Sequence, residues 1–153
     1  TITDVRNLSF RIRPGVLDDL GLADALDWLV QDFEKRTQTS CLLKLSGVKS
    51  SFKKINNTLT TAIYRIAQEA LTNVTRHAMA SNVDVALSLK NGTLEMTIAD
   101  NGSGFDLNDN TKYNSLGLVG MKERASLLGG KVTIQSIITS GTSIHCQIPL
   151  QNS

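Results

Sequence analysis

The chain has 153 residues, 41% hydrophobic and 20% charged, with a formal net charge of +2. This is the balance of one ordinary globular domain long enough for a sizeable core. Near-neutral charge, the lack of a basic run and an aromatic content of 5% argue against nucleic acid as the main partner and against a base-stacking platform. No apolar stretch approaches membrane-spanning length, and no signal peptide is expected. Cys41 and Cys146 show no metal-ligand spacing and fit free thiols in a cytosolic setting.

Residues 1–13 carry Val5, Leu8 and Ile12 at helical spacing. They are expected to be the last turns of a helix, broken at Pro14-Gly15. Residues 16–22 read as a turn in which Asp18 or Asp19 can cap locally and Gly21 lets the chain change direction. A helix is expected over 22–36, with Leu22, Ala25, Leu26, Leu29, Val30 and Phe33 as its apolar face and Trp28 at the margin. A short strand over 41–46 and a basic, Ser-containing loop over 49–54 lead to the helix the chain is organised around, residues 61–78, with Asn56 or Asn57 as its N-cap. Its stripe is Ile63, Ile66, Ala67, Ala70, Leu71, Val74 and Ala78. Glu69, Asn73 and His77 follow one another four residues apart along a flank of that stripe.

Two strand pairs follow. Residues 83–90 and 93–99 alternate apolar and polar around Asn91-Gly92, a strong two-residue hairpin signal. Residues 131–138 and 143–150 form the second pair, with Gly141 in the connection and Pro149 ending the ladder. His145 is expected to face solvent, opposite Ile144 and Cys146. Between the pairs, a polar loop over 106–116 precedes a helix over 118–128 that stops at Gly129-Gly130. The order helix, helix, strand, helix, hairpin, loop, helix, hairpin predicts an α+β two-layer sandwich: a mixed, mostly antiparallel sheet covered on one face by helices.

Four short features carry chemistry. Asn73, with Glu69 one turn earlier, offers oxygen ligands to a hard cation. Asp100 ends a strand and runs into Gly102 and Gly104, which let backbone approach a ligand closely, while the carboxylate can accept from an exocyclic amine. Gly117, Leu118, Gly120 and Met121 open a helix whose free N–H groups can receive an anion, without the Lys-Ser/Thr of a Walker A loop. Thr142 sets a hydroxyl at the start of the last strand. Each alone fits an ordinary turn or solvated edge; the order in which they occur is specific.

That order, with QEALTNVTRHA at 68–78, DNGSGF at 100–105 and GLVGMKERASLLGG at 117–130, resembles the Bergerat-type ATP-binding fold of sensor histidine kinases, type II topoisomerases, mismatch-repair ATPases and Hsp90 chaperones. Within that superfamily the chain most resembles the nitrate-sensor and fluidity-sensor group of histidine kinases. SFRIRPGVLDDLGLADAL at 9–26 is similar to that group's junction between the dimerisation helix and the ATP domain. The resemblance implies a cytoplasmic catalytic domain of a two-component kinase over 14–153, with 1–13 the end of the dimerisation and phosphoacceptor helix. It implies ATP and Mg²⁺ as cofactors. The implied partners are the kinase's own dimerisation domain and a response regulator with a helix-turn-helix output, with no direct nucleic acid. The fragment itself is expected to be monomeric and the parent a homodimer, compatible with an inner-membrane anchor.

The same resemblance implies roles. Asn73 matches the Mg²⁺ ligand and Glu69 an acid that activates the acceptor or positions metal-bound water. Arg76 and His77 match positions touching phosphates or ribose. Asp100 matches the acceptor of the adenine amino group, Gly102 and Gly104 the base pocket, Gly117, Leu118, Gly120 and Met121 the end of the lid, and Thr142 the hydroxyl beside adenine. The family's phosphorylated histidine has no match, because His77 belongs to the nucleotide helix and His145 to the last strand. A topoisomerase-like or chaperone-like ATPase would carry an acid where this chain has Arg76. An anti-sigma-type serine kinase and a module that takes ATP only to change shape are the remaining alternatives.

Overall fold

Strict alternation of apolar side chains gives the strands one face to bury, and helices at 3.6-residue spacing supply the cover. The computed structural model describes residues 14–47, 52, 55–111 and 116–150, apart from the side chains of 14–20 and 78. The expected basic loop at 49–54 and the helix end at 1–13 therefore lie largely or wholly outside the described residues. The elements are α1 (Pro14–Thr37), β1 (Ser40–Ser46), α2 (Asn57–Asn73) with a π-helical turn (Val74–Ala78), β2 (Asn82–Lys90), β3 (Thr93–Asp100), α3 (Leu118–Leu127), β4 (Lys131–Ile137) and β5 (Gly141–Pro149).

The five strands form one sheet in the order β1-β2-β3-β5-β4. β1 runs parallel to β2, and every other pair is antiparallel. The expected mixed, mostly antiparallel sheet is therefore present. Both hairpins form, and the structure adds that β5 also pairs with β3, which puts the last strand inside the sheet. A parallel pair needs a long crossover, and α2 supplies it between β1 and β2. Asn91 and Gly92 both take positive φ, 51° and 73°, as a tight two-residue hairpin requires.

Val83, Val85, Leu87, Leu94, Met96, Ile98, Ile144, Cys146 and Ile148 are buried on one sheet face. The other face carries polar side chains, including the half-buried His145, whose Nδ1 lies 2.9 Å from Thr97 Oγ1, so His145 stands opposite Ile144 and Cys146 as expected. Helix α2 covers the apolar face with Ile63, Ile66, Ala67, Ala70 and Leu71, and α1, with Leu22, Leu26, Leu29 and Phe33 buried, packs beside it against both α2 and β1. Both cysteines are buried and free. Burial, aided at Cys41 by the Glu34 and Asp84 carboxylates, pushes each thiol up to about 12, so both stay protonated and inert.

Two expectations at element boundaries are corrected. Residues 16–20 are helical rather than a turn. Pro14 starts the helix, where its missing N–H costs nothing, and the break falls at Gly21 alone, whose φ 78° and ψ 165° only glycine adopts readily. The central helix begins at Asn57 and leaves α geometry at Val74, and its last turn is a π turn closed by Met79 in the left-handed region. Ser103 Oγ donates to the His77 carbonyl in that turn, which satisfies an acceptor that the wider turn leaves open.

Asn56 is the N-cap, its Oδ1 accepting from Leu59 N at 2.8 Å. Asn56→Ala should cost about 1 kcal/mol of stability. Urea denaturation checks this, and an unchanged midpoint would mean that packing alone fixes the start of α2.

Candidate functional site

Helix α2, the end of β3, the start of β5 and the start of α3 converge on one cleft. It is lined by Ala70, Asn73, Val74, His77, Ile98, Asp100, Gly104, Phe105, Leu116, Leu118, Thr142 and Ile144. Ile98 and Ile144 face each other across the β3–β5 ladder and form an apolar floor. Asp100 and Thr142 lie two residues further along the same strands, so strand parity turns them to the same face.

Asp100 is half-buried. Its Oδ1 accepts from Gly102 N at 2.9 Å and from Thr142 N at 3.4 Å. Burial raises its pKa above the usual carboxylate value, and the two N–H donors partly offset that rise. One oxygen is thus committed to backbone, which leaves Oδ2 as the acceptor for a ligand. Gly104 turns the loop with φ 63°, and a Cβ there would run into the Ile137 carbonyl. Thr139 N donates to Ser103 O at 2.6 Å, which pins this loop to the β4–β5 turn.

On the opposite wall, Asn73 Nδ2 donates to Leu116 O at 2.7 Å. The donor end of the amide is thereby fixed, and Oδ1 is left as the outward oxygen. Gly117 caps α3 with φ 69° and no side-chain capping bond. A Cβ at Gly117 would strike Glu69 Oε1, so the Glu69 carboxylate lies directly against the start of α3. Among the described residues no group of three or more His, Cys, Asp or Glu side chains could hold a metal. The donors available, an amide oxygen with a carboxylate one turn earlier, suit a hard cation that takes most of its ligands from phosphate and water.

The sequence-derived residues divide accordingly. Asn73, His77, Asp100, Gly104, Leu118 and Thr142 line the cleft. Gly102 is bonded to Asp100, and Glu69 and Gly117 touch at its rim. Gly120 lies in the first turn of α3. Met121 is fully buried and its N–H already bonds Gly117 O at 3.2 Å, so the free N–H groups of α3 belong to the residues before it. Arg76 lines a different cleft, with Arg36, Gln68 and Thr72. Of the polar loop expected over 106–116, residues 112–115 lie outside the described residues. Ile98, Ile144, Phe105 and Leu116 were missed, although parity from Asp100 and Thr142 points to the two isoleucines. Ser136, whose Oγ accepts from Phe105 N at 2.9 Å and lies 2.8 Å from Thr142 Oγ1, had no sequence signal.

A polar helix flank, a buried acid behind a Gly-x-Gly turn and an open helix N-terminus around an apolar floor define a nucleotide-type cleft. The family model of the histidine kinase-, DNA gyrase B- and HSP90-like ATPases matches residues 58–152, and the chain belongs to that family. It is 38% identical over 149 residues to the oxygen sensor histidine kinase NreB of Staphylococcus carnosus, and 43% identical over 150 residues to the sensor histidine kinase MctS of Rhizobium johnstonii. Each match covers 97% of this chain but only 42% and 32% of those relatives, so the chain spans less than half of their length. The fold is shared with the histidine kinase domain of a blue-light activated kinase from Erythrobacter litoralis EL346 (TM-score 0.71, 21% identity, 85% of this chain and 61% of that one). It is also shared with the ATP-binding domain of PrrB from Mycobacterium tuberculosis (TM-score 0.66, 20% identity, 86% and 96%).

Gly117→Ala should destabilise the protein through both the positive φ and the clash with Glu69. In a Glu69→Ala background the clash disappears and only the backbone cost, about 1 kcal/mol, should remain. Equal costs in both backgrounds, measured by thermal unfolding, would show that the carboxylate moves aside freely.

Asp100→Asn has a pH signature. A raised folded-state pKa means that the folded chain binds the proton more tightly than the unfolded chain. The ionised carboxylate therefore costs stability at neutral pH, and the cost vanishes as pH falls through the folded pKa. Asp100→Asn should be at least as stable as wild type at pH 7, with the gap closing in acid. A variant less stable at neutral pH would show that the charge itself holds the loop.

Proposed function

We propose that the chain is the ATP-binding catalytic domain of a two-component sensor histidine kinase, working inside the cell with Mg²⁺. The observation that carries this reading is the convergence on one cleft of Asp100, Asn73, Thr142 and the uncapped start of α3, in a chain whose relatives at 38% and 43% identity are named sensor histidine kinases.

In this reading the adenine ring lies on Ile98 and Ile144 and donates its amino hydrogen to Asp100 Oδ2. Apolar walls with one fixed acceptor give both affinity and orientation. The phosphates run towards the first turn of α3, where N–H groups without intrahelical partners meet negative charge. Asn73 Oδ1 would hold Mg²⁺, which would supply positive charge to neutralise the phosphates. His77 lies four residues beyond Asn73, on the same side of the nucleotide, and Arg76 reaches the phosphates only by swinging from the neighbouring cleft.

The acceptor is a histidine of the dimerisation domain. Its ring nitrogen attacks the γ-phosphorus, the bond to the β-phosphate oxygen breaks, and ADP leaves. Positioning and charge neutralisation carry most of the catalysis. Glu69, beside the start of α3, accepts a hydrogen bond that keeps the attacking nitrogen's lone pair available. The phosphoryl group then passes to a response regulator with a helix-turn-helix output. The isolated domain is monomeric and the parent is a homodimer.

Calorimetric titration with ATP tests the reading. Binding should strengthen with Mg²⁺, and Asp100→Asn should weaken it at least about tenfold. The two N–H donors hold Oδ1 in place, so the asparagine would aim its Nδ2 at the adenine amine. Absence of binding by the folded protein would overturn the assignment. In a longer protein that includes the acceptor histidine, Glu69→Gln should slow phosphorylation while leaving ATP affinity within about twofold. Unchanged phosphorylation would remove Glu69 from the mechanism.

A further inference from the structure

Ser136 in β4 stands directly opposite Thr142 in β5, behind the cleft wall. Its hydroxyl has one proton and two lone pairs to distribute. Phe105 N–H fills one lone pair at 2.9 Å. Two acceptors remain in reach of the proton: Thr142 Oγ1 at 2.8 Å and the Gly141 carbonyl at 3.4 Å. The shorter contact has near-ideal O–H···O length and the longer one lies well outside it. Either hydroxyl can donate across the 2.8 Å contact, but only with the Ser136 proton on Thr142 does Ser136 donate over a short contact rather than over the 3.4 Å one to Gly141. In that arrangement a lone pair of Oγ1 is occupied, and the Thr142 hydroxyl has its own proton left for the cleft that it lines.

We propose that Ser136 is a positioning residue that fixes the Thr142 hydroxyl as a donor into the cleft, so that the site selects a base edge pairing an amino donor with a neighbouring ring-nitrogen acceptor. The inference rests on the reading that Asp100 receives an exocyclic amine. Thr142 N lies 3.4 Å from Asp100 Oδ1, so the residue that accepts and the residue that donates adjoin in the cleft wall. Adenine carries that pattern on both edges, because its amine is flanked by N1 on one side and N7 on the other. A base with a carbonyl in place of the amine and a protonated ring nitrogen beside it has the pattern inverted. To meet such a base, the Thr142 proton would have to turn back to Ser136 and push the Ser136 proton onto the long contact to Gly141. Ser136 thereby makes the wrong hydrogen-bond sense costly without touching the ligand.

The test is binding of ADP, 1-deaza-ADP and 7-deaza-ADP by calorimetry to wild type, Ser136→Ala and Ser136→Thr. Both analogues keep the amine and each lacks one ring acceptor. Wild type should bind one of them about three- to tenfold more weakly than ADP, which also identifies the edge. Ser136→Ala should shrink that ratio to less than about twofold, and Ser136→Thr should restore it. If Ser136 only ties the Phe105 loop to the sheet, Ser136→Ala will weaken all three ligands by one common factor and leave the ratio intact, which overturns the proposal. Equal binding of all three by wild type also overturns it. Failure of folded wild type to bind ADP at all would sink the nucleotide reading itself. Should Ser136→Ala not fold, Ser136→Cys keeps the volume with only a weak donor, and the same ratio decides.

Discussion

A carboxylate taken partly out of water at the end of a strand is the constraint that the cleft is built around. An isolated buried charge is expensive unless it is hydrogen-bonded. Asp100 is bonded to two backbone N–H groups that come from different parts of the chain. Gly102 belongs to the loop that follows at once, and Thr142 to a strand that arrives some forty residues later. Satisfying one acid therefore fixes how the loop leaves β3 and how β5 lies beside it. The raised pKa records that the compensation is incomplete, and the remaining acceptor capacity is what a ligand can use.

The two walls of the cleft obey different physics. The sheet wall is rigid, because Asp100, Thr142 and Ser136 are held by ladder pairing and by bonds to one another. The helical wall depends on side chains that reach across to the segment entering α3: Asn73 bonds Leu116, and Glu69 lies against Gly117. These contacts are few and lie at the rim, so the start of α3 is the part of the cleft that can shift when a ligand competes for the same groups. The π turn after Asn73 belongs to this wall and is tied to the other by Ser103.

Local rules made most of the architecture legible. Asn91-Gly92 and the alternation around it gave the first hairpin, and Gly129 after the last periodic residue gave the stop of α3. What stayed hidden was non-local. The pairing of β5 with β3 follows from sheet assembly rather than from either strand's own pattern, and the parallel placement of β1 depends on the crossover. At the site, the cleft brings together Asn73, His77, Asp100, Gly104, Leu118 and Thr142, all visible as motif residues. Arg76 lies in another cleft because it follows Gln68 and Thr72 at four-residue spacing, on a different flank from Glu69, Asn73 and His77. Ser136 could not be found without the register that sets it opposite Thr142. The break at Gly21 was expected as a turn, but whether a proline-led segment continues as helix depends on what it packs against.

The strand order has a consequence for how the molecule assembles. β5 is the last described strand in sequence, yet it sits between β3 and β4. Until it docks, β3 keeps an open edge that carries Leu94, Met96 and Ile98, and Thr97 waits for a partner forty-eight residues away. Closing so long a loop is slow, and an apolar edge left unpaired meanwhile invites pairing with other chains. Nucleation can use the local β2–β3 hairpin and the packing of α1 on α2, but the ligand cleft is complete only once β5 has docked and brought Thr142 and Ile144 beside β3. A partly folded chain would thus have most of its secondary structure and no binding site, and an adenine nucleotide that binds the finished cleft would pull the last strand into place.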